Sequence, residues 1–88
     1  MLKKIEESIE QSDRFANHAV DELTKKPPNW DQVYEYIEMI GSQMSAAVEI
    51  AYDITKDEKL RDDYTLYIEK ESDRIKERII STIKSKCK

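Results

Sequence analysis

From Leu2 to Lys26 the apolar and small residues fall at Leu2, Ile5, Ile9, Ser12, Ala16, Ala19 and Leu23. Their intervals alternate three and four without a break, the spacing of a heptad seam along one helix face. Glu6, Glu7 and Glu10 come early and Lys25 and Lys26 come late, both placements that a helix dipole favours. Pro27 and Pro28 end the run, because neither has an N–H to donate and each disfavours helical geometry in the residue before it. The pattern predicts a first helix over about 2–26.

A second seam begins at once, with Trp30, Val33, Ile37, Ile40, Met44, Ala47, Ala51 and Ile54. Asn29 is a good N-cap and Gln32 stands three residues on, as in a capping box. This predicts a helix over 30–54, folded back on the first about the Pro-Pro turn. Pairing the seams in order sets Ala19 against Ile37, Ala16 against Ile40 and Ser12 against Met44. Ile9 then meets Ala47, and Ile5 meets Ala51. Nearly every small residue faces a large one, which is how facing layers interdigitate at normal density.

After Ile54 the seam fails, and a new apolar set starts out of phase at Leu60, Tyr64, Tyr67 and Ile68. Thr55 with Glu58 has capping-box spacing. A turn near 55–58 and a third helix over 58–85 follow; one long helix with a stutter is the alternative. From Glu69 to Arg78 the chain is nearly all charged, with Ile75 its only aliphatic residue, before Ile79, Ile80 and Ile83. The fold expected is all-α: an antiparallel helical hairpin plus a third helix, forming a three-helix bundle open to assembly into an oligomeric bundle.

Composition narrows the class. Eighty-eight residues make one domain, 1–88, with a modest core. Charged residues are 39% of the chain and hydrophobic ones another 39%, too apolar for a disordered tail. One Gly and two Pro leave little material for the turns of a β fold. Cys87 is the only cysteine, so no disulfide can form within the chain, and a reducing, cytoplasmic location is expected. There is no signal-peptide core and no apolar run of about 20 residues, so no membrane role is expected. The abundance of Ile, Lys, Glu and Tyr is what an AT-rich genome encodes, such as that of a low-GC bacterium or its phage.

Candidate chemistry is sparse. His18, Asp21 and Glu22 share a helix face at the spacing of a metal half-site, but they serve equally as a solvated polar flank, the reading adopted here. Cys87 has lysine neighbours that would favour its thiolate, yet nothing pre-organises it for catalysis. No Gly-rich phosphate loop and no Cys/His metal spacing occur. No cofactor, metal or enzymatic activity is expected.

The surfaces carry more. Residues 70–88 hold seven Lys/Arg against three Asp/Glu, and the rest hold eight against sixteen. Lys84, Lys86 and Lys88 are candidate anion-facing residues, although dipole compensation explains them as well. The net charge of −4 disfavours nucleic acid as a partner. Helix 2 carries a second stripe at Tyr36, Met39, Gln43, Ala46 and Ile50, more apolar surface than helix 1 can cover. With Tyr34, Tyr52, Tyr64 and Tyr67, the residues Tyr36, Met39, Gln43 and Ile50 make up the candidate interface, since Tyr and Met are enriched at such surfaces. Gly41 costs about 1 kcal/mol in mid-helix relative to Ala, so a closely approaching backbone or a local bend is expected there.

The function expected is a small non-enzymatic helical binding protein: a regulator, inhibitor or immunity-type protein acting through contacts with another protein, with itself, or both. Bacteriocin immunity proteins and phage-encoded inhibitors of host defence share this size and helical composition, a likeness of type that carries no residue roles. The alternative is an oligomer that pairs tyrosines with lysines to sequester an anionic, nucleotide-like ligand, as phage anti-defence sponges do.

Overall fold

A computed structural model describes residues 2–86. Three helices account for nearly all of them: α1 (Leu2–Leu23), α2 (Trp30–Ile54) and α3 (Glu58–Lys86). They form a three-helix bundle with Cα extents of 49 × 19 × 16 Å.

The α1–α2 hairpin follows the two seams. Of the ten residues paired above, nine are buried. The exception is Ile37, which is more than one-third exposed, and Trp30 at the head of the same seam is half exposed. Small residues occupy the centre: Ala16, Ala19, Ala47 and Ala51 have no solvent exposure. Ser12 is equally buried, and its Oγ donates to the Ser8 carbonyl at 2.9 Å, so the hydroxyl is satisfied within its own helix.

The ends of the hairpin differ from expectation in detail. α1 stops at Leu23, three residues short of Lys26. Thr24 and Lys25 make 3₁₀-type bonds to Asp21 and Glu22, tightening the last turn before the prolines. The first turn of α1 therefore holds no acid and the last turn no base, so the dipole pairing expected from Glu6, Glu7, Lys25 and Lys26 is not made. The Lys26–Pro27 peptide is cis. Asn29 does cap α2: its Oδ1 accepts from the Gln32 N–H at 3.2 Å. The Gln32 side chain turns to Glu35 instead of back to Asn29, so only half of the capping box forms.

A turn at 55–57 separates α2 from α3, which excludes one continuous helix. Its cap is Asp57, whose Oδ1 accepts from the backbone N–H of Lys59 and Leu60. The expected Thr55–Glu58 box is replaced: buried Thr55 accepts from the Asp57 N–H through its Oγ1.

α3 buries Ile68, Ser72, Ile75 and Ile79, spaced four, three and four apart. The charged middle of α3 thus contains a seam after all, with a serine in one place. Leu60 and Tyr67, expected at its start, are exposed, and Tyr64 is half-buried. Arg74 donates to Asp13 and Arg78 to Asn17, both at a sequence separation of 61. A constant offset means that α3 runs parallel to α1, and hence antiparallel to α2. The C-terminal end of α3 and the N-terminal end of α2 therefore share the Pro-Pro end of the bundle.

Candidate functional site

α2 faces three ways. One stripe is buried against α1, and the flank bearing Ile37, Gly41, Ser45 and Val48 is turned to α3. The opposite flank, Tyr36–Met39–Gln43–Ala46–Ile50, has no helix over it. Its residues are half-buried by the hairpin itself, apart from Met39, which is exposed.

Tyr36 is held at one end of this flank by α1. Its ring stacks on Phe15 at 6.2 Å between centroids and on His18 at 5.4 Å. The lone histidine is thus an aromatic packing partner. Phe15, Glu35, Glu38, Met39, Ser42 and Gln43 border a shallow depression of about 470 Å³. One turn on from His18, Glu22 bonds Lys25 through Oε1, while its Oε2 is buried without a partner. Among the described residues no group of three His, Cys, Asp or Glu side chains could hold a metal ion.

The second apolar surface lies at the Pro-Pro end, between α2 and α3. Ile37, Ile40, Ile79, Ile80 and Ile83, with Lys76 at the edge, line a groove of about 180 Å³. Ile80 is 42% exposed, Trp30 49% and Tyr34 69%. This groove includes residues that the seam assignment had placed in the core. It continues into a wider hollow where Gly41 and Ser45 face Ser72. A Cβ on Gly41 would meet nothing within 4 Å, so neither a close backbone nor a crowded neighbour explains the glycine.

The five tyrosines do not form one surface. Tyr34 stands at the Pro-Pro end, and Tyr36 is built into the hairpin. Tyr52 lies at the far end, with the Arg61 guanidinium 5.1 Å from its ring centroid. Tyr64 leans on the core and Tyr67 is exposed. Lys84 and Lys86 occupy the last turn of α3. Lys84 and Tyr67 are separated by about 25 Å of helix, so within one chain the lysines do not meet the tyrosines of α3. Lys88 and Cys87 lie outside the described residues.

No family model, curated protein or solved structure matches this chain.

Electrostatics separate the two grooves. α2 has five carboxylates (Asp31, Glu35, Glu38, Glu49 and Asp53) and no basic residue. The C-terminal half of α3, residues 74–86, has five bases and one acid. Two of those bases are committed to α1. Arg74 chelates Asp13 with N–O distances of 3.2 and 3.0 Å and also bonds Glu71. Hydrogen bonding to Asp13, then to Glu71, raises the Arg74 guanidinium above its ordinary value. Lys76, Lys84 and Lys86 are exposed. The outer α1–α2 depression is accordingly rimmed by Glu35 and Glu38, whereas the α2–α3 groove is lined by isoleucines with Lys76 at its edge and Glu69 of α3 in the hollow beyond. Among the described residues no helix is long and apolar enough to cross a membrane.

Proposed function

We propose that this chain is a small non-enzymatic binding protein that acts on another protein through the outer face of its α1–α2 hairpin. The observation that carries this reading is the half-buried stripe Tyr36–Met39–Gln43–Ile50, with Met39 exposed and Tyr36 braced by Phe15 and His18, on the side turned away from α3. A stripe with three-four spacing beside a shallow concavity suits an amphipathic helix laid along the hairpin as a fourth member. The rim carboxylates Glu35 and Glu38 favour a partner whose flanking residues are basic. Such a protein works as a regulator, inhibitor or immunity-type protein, by occupying a helix of its target.

Affinity capture from the native cell, with wild type beside Met39→Glu and Gln43→Glu, tests this. A protein retained by wild type and lost by both variants supports the reading. If every retained protein is indifferent to both substitutions, the outer face is not the binding surface.

A further inference from the structure

We infer that the helix seated on the outer hairpin face is cationic along one flank, with two pairs of Lys or Arg about two heptads apart. One pair meets Glu35 and Glu38, and the other meets Glu49 and Asp53. This rests on the outer face being the binding surface, as proposed above, and adds the chemistry that selects the partner.

α2 builds one rim of that face. Residues three and four apart are neighbours on a helix surface. Glu35 lies four residues before Met39, Glu49 three beyond Ala46, and Asp53 three beyond Ile50. Glu38 joins Glu35 and Met39 at the edge of the depression. The stripe is therefore bordered by acid towards both of its ends, with only Ser42 and Ala46 between the two pairs. All four carboxylates are exposed. Glu35 accepts a hydrogen bond from the neutral Gln32 side chain, and among the described residues no Lys or Arg forms an ion pair with any of the four. α2 itself has no base to offset them.

Charge names the occupant. On the α1 side Gln11 and His18 lie one turn either side of Phe15, and the charges next to them, Glu7, Arg14 and Asp21, mix signs. Arg14 is bonded to the neutral Gln11. The sign of the face is therefore set by α2. Four unpaired carboxylates along one edge repel a nucleic acid or an anionic lipid surface and attract cations. Between the rims, exposed Met39 and the Tyr36 ring stacked on Phe15 and His18 offer apolar contact. A helix with an apolar stripe and a basic flank satisfies both demands. From Glu35 to Asp53 is about 27 Å of helix, so the partner helix needs about five turns to reach both pairs. Bases in the middle of its flank would meet Ser42 and Ala46 and gain nothing.

Synthetic helical peptides of about six turns test this, read by fluorescence anisotropy against the full chain. All share one Leu and Ala stripe. The first carries Lys pairs two heptads apart on one flank, the second has the same four lysines gathered mid-flank, and the third has Glu at the paired positions. The first should bind about tenfold tighter than the second, and the third should not bind. Glu35→Lys with Glu38→Lys, and Glu49→Lys with Asp53→Lys, should each weaken the first peptide about tenfold, with helicity unchanged by circular dichroism. Equal binding of the first two peptides overturns the inference, as does indifference to the Glu49 and Asp53 changes or failure of every peptide to bind. Met39→Glu reads the face itself. Binding lost in Met39→Glu but untouched by the carboxylate variants removes the charge rule and keeps the outer face. Binding untouched by Met39→Glu removes the outer face as well.

Discussion

Arg74 of α3 grips Asp13 of α1 with two parallel hydrogen bonds, at 3.2 and 3.0 Å. Arg78 reinforces it one turn on, bonding Asn17 and approaching Asp13 at 3.9 Å. Both arginines are largely in solvent, so the cluster orients α3 more than it stabilises it. A double-mutant cycle on Arg74→Ala and Asp13→Ala should give a coupling of about 0.5 to 1 kcal/mol that shrinks as salt rises. Urea denaturation at low and high ionic strength measures it.

The raised pKa of Arg74 fixes the sign of its pH dependence. A cation whose folded value lies above its unfolded value contributes fully below the unfolded value, and loses the contribution only as pH rises through the folded one. For a guanidinium that window lies in strong alkali. The stability difference between wild type and Arg74→Ala should therefore be flat from about pH 6 to 9. A slope across that range in urea midpoints would assign the effect to another group.

Gly41→Ala should stabilise the protein. The added methyl meets nothing within 4 Å, and the helix gains about 0.8 to 1 kcal/mol. In a domain of this size that corresponds to a rise of about 4 to 8 °C in the thermal midpoint. A fall in the midpoint would mean that another backbone lies against Gly41.

Ile75→Ala should cost about 2 to 5 kcal/mol. Ile75 is fully buried in the centre of the α3 seam, with only Ser72 and Ile79 beside it there. Chemical denaturation gives the magnitude.

Asp57→Ala should cost about 1 kcal/mol by exposing the first N–H groups of α3, whereas Glu58→Ala should stay within about 0.5 kcal/mol. Equal losses from the two would restore the Thr55–Glu58 box as the cap.

The hairpin was legible because its determinants are local. Seam spacing, the Asn29 cap and two prolines all act within a few residues, and the matching of small with large side chains needs only the turn position. The docking of α3 was hidden by Ser72 and by the charges around it. Ser12 counted as a small seam residue because apolar neighbours flank it at three-four spacing, whereas Ser72 stands among charges and was passed over, yet it is small enough to lie against α2. Arg74 and Arg78 look like solvent residues until Asp13 and Asn17 are known to face them. Trp30 and Ile37 were misplaced for a related reason. A three-four stripe is wide, and which edge meets α1 depends on how the helices lie against each other. The outer flank of α2 was visible as surplus apolar surface, and in the structure the hairpin half-buries it, leaving Met39 exposed. That Tyr36 would be braced by Phe15 and His18 was not visible, because neither lies on the seam of α1.

The parallel course of α1 and α3 sets an order of events for the chain. Contacts across the α1–α2 turn close short loops, whereas every Arg74–Asp13 or Arg78–Asn17 contact must close one of about sixty residues. The hairpin can nucleate by itself, and α3 joins it last through a single row containing a serine. Amides in α3 should then exchange with solvent before those at Ala16, Ala19 and Ala47. The charged helix would behave as a latch that opens and recloses on a hairpin that remains folded.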